Sequence, residues 1–379
     1  MSFTRTIESL LSSPRQDIEI VLADNSDDPS IMNDYMASRP RDPRVRYLPS
    51  DTIVHSMRDN WERAFRITTG DFIAVIGDDD YIDPDVVDLI DAIVARDPGI
   101  DVVAWSRLAY NWPEVRTRRS GTFVSLVNEV HRMPKALMVR RMFRWETATH
   151  VPSCPFTIYH GAVSRPAMER VRRNFCGRYF EHPIVDYDNS FKLLFSARGL
   201  AYIDRPMSVL GVCSKSNSAA IGHYEKALEI NQAFIAENGD DYENNDYLRG
   251  FPFGTMLGVA SAILAAQTWF KRKYGATVDG WEENFARAVA QDCSISASRA
   301  GFQAHSELCR RAFQSYEDGR YLEFFKPAWR DTTGQEPFFG LMGRQLLVDE
   351  TIGATETPAA FYEIIRQVLP ELSSLEYKY

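Results

Sequence analysis

Along the N-terminal half of the chain, short continuous apolar runs alternate with segments whose apolar residues fall at helical spacing. Thr4 to Ser12 places Ile7, Leu10 and Leu11 on one helical face and is stopped by Pro14. Ile18 to Ala23 reads as a strand ending in the polar turn Asp24-Asn25-Ser26-Asp27-Asp28-Pro29, which can cap a helix over Ser30 to Ser38. A strand over Val45 to Leu48, an amphipathic helix over Ser56 to Thr68, a buried strand over Phe72 to Ile76, a helix over Pro84 to Ala95 and a strand over Val102 to Trp105 follow. Residues 107 to 150 are less regular and Arg-rich, as expected of loop, hairpin and helix lying over one sheet edge. Helices over Arg165 to Arg173 and Tyr187 to Ala197, with strands over Leu200 to Ile203 and Ser208 to Val212, resume the alternation. That alternation predicts an α/β fold, a doubly wound, mostly parallel sheet with helices on both faces.

Beyond His223 the pattern predicts helices alone: Tyr224 to Glu237, Phe253 to Tyr274, Trp281 to Asp292, Ser306 to Tyr316 and Pro358 to Val368. The expected division is therefore an α/β domain over 1–222 and a helical region over 223–379.

The densest chemistry sits in Gly77-Asp78-Asp79-Asp80, three successive carboxylates at the end of the Phe72 to Ile76 run. Open α/β sheets bind ligands at such strand ends. Adjacent negative charges at a partly buried turn repel one another, and a hard divalent cation such as Mg²⁺ or Mn²⁺ relieves the repulsion. The competing explanation is an Asp-rich turn leading into a helix capped near Asp83 and Pro84.

With 379 residues and 45% apolar content, the chain has the composition of a folded protein. A net charge of -9 argues against a general affinity for nucleic acid. Against that average, Arg116, Arg118, Arg119, Arg140, Arg141, Arg144, Arg170, Arg172 and Arg173 make the middle of the chain basic, where an anionic ligand or a membrane surface could be met. Five widely spaced cysteines, Cys154, Cys176, Cys213, Cys293 and Cys309, show no C-x-x-C pair and no metal-ligand rhythm, and suit reduced thiols of a cytoplasmic protein. Met1 to Leu11 has no secretory pattern, and the apolar stretch Met256 to Phe270 is shorter than the ~20 residues of a membrane span.

Taken in order, Ile18 to Ser26, Asn60-Trp61, the Gly77 to Asp80 turn and Val185-Asp186-Tyr187-Asp188 resemble the family 2 glycosyltransferases of GT-A fold over about residues 3 to 221. The resemblance implies inverting transfer of a sugar from a nucleoside diphosphate sugar, with UDP-sugars favoured, to a saccharide or lipid-linked acceptor hydroxyl. It implies Asp24 as a contact to the donor base, Arg58 and Asn60 as further donor contacts, and Asp78 as a ribose contact. Asp79 would be the metal ligand, joined by Asp80, and the ion Mg²⁺ or Mn²⁺. Asp186 aligns with the general base; Asp188 and Glu181 are rival candidates, because the family's preceding Glu is replaced by Val185. His160-Gly161 falls at the floor of the expected acceptor cleft, and Ser216-Asn217-Ser218 resembles a late polar loop that closes over the donor.

Family members begin with an apolar strand ahead of the first helix seen here, so the resemblance also implies a start that is truncated relative to the functional protein. Peripheral contact with the inner face of a membrane and a homo-oligomeric state are compatible with it. The helical region would recognise the acceptor or a second subunit. An alternative function is a catalytically inactive relative that binds a saccharide or a partner protein. A haloacid dehalogenase type phosphatase is disfavoured by the missing Thr after the acidic turn, and a nucleotidyltransferase by the missing Gly-rich phosphate loop.

Overall fold

The computed structural model describes residues 2–51, 53–116, 119–216, 222–238, 245–331 and 337–378. Its first elements are α1 (Ser2–Leu11), β1 (Ile20–Ala23), α2 (Ser30–Ser38), β2 (Val45–Leu48) and α3 (Met57–Ile67). The Ser56 hydroxyl caps α3 by accepting from the Asp59 amide, and the Asn60 side chain donates to the Ala23 carbonyl, so α3 is fastened across the end of β1. Next come β3 (Phe72–Ile73), β4 (Tyr81–Ile82), α4 (Val86–Arg96), β5 (Val102–Asn111), β6 (Gly121–Ser125), β7 (Glu129–Arg132) and α5 (Lys135–Phe143). β8 (Gly161–Ser164), α6 (Arg165–Asn174), α7 (Val185–Ser196) and β9 (Leu200–Val212) complete the α/β part. The remainder holds α8 (Tyr224–Asn238), α9 (Val259–Tyr274), α10 (Glu282–Ser294), α11 (Arg299–Ser315), β10 (Gly340–Met342), β11 (Gln345–Asp349), α12 (Pro358–Arg366) and β12 (Glu376–Lys378).

The expected α/β architecture is present. The main sheet runs β12-β7-β9-β5-β8-β3, with β4 beside β9. Its centre is the long parallel β5/β9 ladder, and β12/β7 is also parallel, while β7/β9, β5/β8, β3/β8 and β4/β9 are antiparallel. β1 and β2 pair in parallel as a separate two-stranded sheet. The two strands read from Leu200 and Ser208 are one strand, β9, whose ladder with β5 shifts register near Trp105 and Ser106.

The expectation of helices alone beyond His223 is corrected. β11 pairs with β6, β12 pairs with β7, and Phe361, Tyr362 and Ile365 of α12 pack on Tyr81, Tyr110 and Val209 of the sheet. The returning strands span only three to five residues, too short for a period of two to stand out in the sequence. The helices between are bound to the α/β part by a shared core. Phe270 of α9 meets the rings of Phe143, Phe175 and Phe191 at centroid distances of 5.9, 5.7 and 5.6 Å. A second aromatic cluster, Phe253, Trp281, Phe285 and Phe313, fills the space among the C-terminal helices. No helix among the described residues is long and apolar enough to cross a membrane.

The basic middle of the chain is dispersed into local pairs. Arg170 and Arg198 converge on the buried Asp101, Arg172 pairs with Glu169, Arg119 with Asp349 and Arg140 with Glu146; Arg118 lies outside the described residues. At Asp101 burial opposes the charged form, but the Arg198 guanidinium and amide, with Arg170 and Ser164, hold the carboxyl below the usual range.

Replacing Phe270 by alanine opens a cavity under both parts of the molecule. Urea denaturation of Phe270→Ala is expected to show one transition weakened by about 3–5 kcal/mol. A second transition left unmoved would show that the two parts unfold separately.

Candidate active site

The acidic turn is built around one satisfied carboxylate. Asp80 is fully buried; its Oδ2 accepts from the Gly77 amide at 2.6 Å, the Tyr159 hydroxyl at 2.8 Å and His160 Nε2 at 3.0 Å, and its Oδ1 from the Gly211 amide at 2.8 Å. Burial opposes its ionisation, yet His160 and the Gly211 and Gly77 amides outweigh that and hold the carboxyl below the usual carboxylate range. His160 is itself anchored. Trp105 Nε1 donates to Ser208 Oγ at 2.8 Å, Ser208 Oγ lies 2.9 Å from His160 Nδ1, and the His160 amide donates to the Val75 carbonyl. These contacts hold His160 at φ +55°, a left-handed conformation rare for a side chain of this size. From α1, the Thr6 hydroxyl lies 3.1 Å from the Asp78 carbonyl and 3.0 Å from the Asp80 carbonyl.

With Asp80 pinned, Asp78 and Asp79 are presented to a cleft of about 1340 Å³. Asp79 is buried; its Oδ2 accepts from the Ser216 hydroxyl and its carbonyl from Trp112 Nε1 at 2.9 Å. The walls of the cleft and the neighbouring carboxylates push both Asp78 and Asp79 above the usual carboxylate range. Lys215 also lines the cleft, and its charge partly offsets the rise at Asp78. Gly211 admits the turn at close quarters: a Cβ there would stand 1.7 Å from the Asp79 carbonyl oxygen.

Asp186, in the first turn of α7, opens onto the same cleft and is raised by burial. Its rivals do not reach the cleft. Asp188 accepts from the Glu181 and His182 amides and pairs with Lys192 at 2.8 Å, while Glu181 pairs with Lys192 and Lys273 and accepts from the Tyr274 hydroxyl. Trp61, Tyr159 and Tyr187 give the cleft aromatic surface, and α8 lines it with Ile230 and Phe234.

A family model described as Glycosyl transferase family 2 matches residues 2–165, from α1 through the acidic turn to the start of α6. Residues 2–165 are thus similar to a family 2 glycosyltransferase domain. Among solved structures, the chain is similar to Staphylococcus aureus TarS 1-349, with a TM-score of 0.40, 14% identity and coverage of 86% of this chain and 85% of that one. It is similar to the same protein in complex with UDP-GlcNAc, with a TM-score of 0.38, 13% identity and 85% of each chain covered. No curated protein sequence matches the chain.

The cleft does not gather every residue singled out in the sequence. Asp78, Asp79 and Asp186 share the cleft; Asp24, Arg58, Asn60 and Asp80 do not line it. Asp24 accepts from the amide and hydroxyl of Ser26 in a local turn and from the Tyr47 hydroxyl. Arg58 donates to the Glu181 carbonyl, and Asn60 bridges Ala23 and Arg63. Of the late loop, Ser216 reaches Asp79, while Asn217 and Ser218 lie outside the described residues. Lys215, Trp112 and Tyr159 were not foreseen. Gly211 carried a signal, since a glycine inside a strand pattern marks close approach of another backbone.

The three aspartates of the turn respond oppositely to pH. Asp80 titrates below its unfolded value, so its stabilisation is complete above the unfolded pKa of about 3.9 and is lost as pH falls through the folded value. Asp78 and Asp79 titrate above theirs, so their ionisation costs stability at neutral pH, and the cost disappears on acidification. In metal-free buffer at pH 7, Asp80→Asn is expected to lower stability by about 1–3 kcal/mol by leaving buried donors unpaired. Asp79→Asn is expected to raise the melting temperature. Thermal unfolding of both variants checks the opposite signs.

Proposed function

We propose that the chain is an inverting glycosyltransferase that moves a sugar from a nucleoside diphosphate sugar, a UDP-sugar foremost, to a hydroxyl of a saccharide or lipid-linked acceptor. One observation carries the reading: Asp78, Asp79 and Asp186 open onto a common cleft, while Asp188 and Glu181 are taken up by ion pairs inside the protein. Asp186 takes the proton of the acceptor hydroxyl, whose oxygen bonds to the anomeric carbon from the face opposite the departing diphosphate. Burial that raises its pKa makes Asp186 a stronger base than a surface carboxylate.

The turn suits a hard divalent ion. Asp79 is buried, crowded by Asp80 and surrounded by oxygen donors, and Asp78 adds a second carboxylate facing the cleft. Asp79 and Asp78 would hold Mg²⁺ or Mn²⁺, and such an ion, when bound, neutralises charge developing on a leaving diphosphate. Asp80 serves as a positioning residue, because four protein donors already use its oxygens. Lys215 adds positive charge at the same place. Trp61 and Tyr187 offer flat apolar faces suited to a sugar ring.

Titration of UDP with and without Mn²⁺ is the first test, with metal-dependent binding as the expected result. No binding by folded protein would favour the inactive, saccharide-binding alternative. Asp79→Ala is expected to lose both turnover and metal-dependent UDP binding. Asp186→Asn is expected to keep UDP binding and lose about 10²–10⁴-fold in kcat. In the unaltered enzyme, kcat/KM is expected to fall on the acid side with an apparent pKa above the usual Asp value of about 3.9. Equal loss of UDP binding in both variants would overturn the division of roles.

A further inference from the structure

The cysteines, which show no metal-ligand rhythm in sequence, acquire one in space. Cys293 lies near the end of α10, while His305 and Cys309 sit one helical turn apart on the same face of α11. One ligand atom from each of the three lies within 4.8 Å of the other two, and the Cys293 and Cys309 sulfurs are 3.9 Å apart. A tetrahedral ion with Zn–S bonds of about 2.3 Å sets two thiolates about 3.8 Å apart, whereas a disulfide needs about 2.05 Å. The two sulfurs thus stand at the separation of co-ligands.

His305 is prepared for the same task. Its Nε2 lies 2.9 Å from the Leu257 carbonyl, which can only accept, so Nε2 carries the proton and Nδ1 keeps its lone pair. Metal-bound imidazoles are oriented in this way. A second, independent sign is Asp292, whose buried Oδ2 has no hydrogen-bond partner among the described residues. It lies beside the His305 ring: a Cβ on Gly258, itself at φ +101°, would meet Asp292 Oδ2 at 2.6 Å and His305 Cε1 at 3.1 Å. An unpaired buried carboxylate oxygen beside the imidazole makes a pocket that attracts a cation.

We infer that Cys293, Cys309 and His305 bind one Zn²⁺ ion. Binding releases both thiol protons to solvent, so the dication cancels the two thiolates, and the Asp292 carboxylate keeps its charge beside them. Water fills the fourth position, which can be reached from the cleft because Leu257, Gly258, Asp292 and His305 line it. The ion ties α10 to α11 and, through His305, to the Leu257-Gly258 segment of the cleft wall. This is a soft sulfur–nitrogen site, separate from the oxygen site at Asp78 and Asp79.

Purification without chelator followed by elemental analysis is expected to find about one zinc per chain, falling below about a tenth in Cys309→Ser. Cys176→Ser, which changes an exposed cysteine outside the cluster, and Asp79→Ala are expected to keep the zinc. To keep the test independent of the folding of Cys309→Ser, Co²⁺ is also titrated into chelator-stripped unaltered protein, where thiolate-to-cobalt absorption at one equivalent is expected. Absence of both zinc and the cobalt band, or a Cys293–Cys309 disulfide in the non-reduced peptide map, would overturn the inference. UDP binding is measured separately, so loss of either result leaves the other standing.

Discussion

The geometry of the cleft depends on the burial of one negative charge. Asp80 has no contact with solvent, and its carboxylate is tolerated because four donors from three places in the chain, Gly77, Tyr159 with His160, and Gly211, converge on it. Those donors come from the turn itself, the approach to β8 and the end of β9, segments far apart in sequence. Satisfying one carboxylate therefore assembles the sheet end, and the two preceding residues have nowhere to point but the cleft. Thr6 extends the same logic outward by tying α1 to the backbone of the turn.

The arrangement separates aspartates that hold structure from those left open to a ligand. Asp80, Asp101 and Asp188 are each fully buried, and each is met by several donors or cations. Asp78, Asp79 and Asp186 lie at the cleft with few partners. Burial alone does not distinguish the two sets, since Asp79 is nearly as buried as Asp80. The number of donors committed to each carboxylate does.

The local rhythm of the chain was legible in the N-terminal half, where short apolar runs alternate with helical spacing. β2 and α2 lie where the apolar spacing placed them, and the helices over 165–174 and 185–196 differ from expectation only at their ends. β11 and β12 were not legible, because each pairs with a strand more than two hundred residues away, and β10 only extends β11. At the site, the triple aspartate announced itself through charge density, but which member would be consumed by the protein could not be read from it. That depended on the convergence of Tyr159, His160 and Gly211 on Asp80, which only the fold produces. The pairing of Cys293 with His305 and Cys309 was hidden for a similar reason, since only the packing of α10 against α11 brings a helix end beside an i, i+4 pair.

The C-terminal helices are part of the cleft rather than an appendage to it. α8 supplies one wall, and the Leu257-Gly258 segment with Asp292 and His305 supplies another, so any ligand reaching Asp186 meets side chains from both halves of the sequence. Phe270 places α9 in the aromatic core beneath α7, the helix whose first turn carries Asp186. Movement of the helical region would therefore be felt at Asp186 through packed rings, which resist continuous deformation. A cleft built this way gains its precision from a core shared across the whole chain, and the position of Asp186 is only as well determined as the packing of the helices behind it.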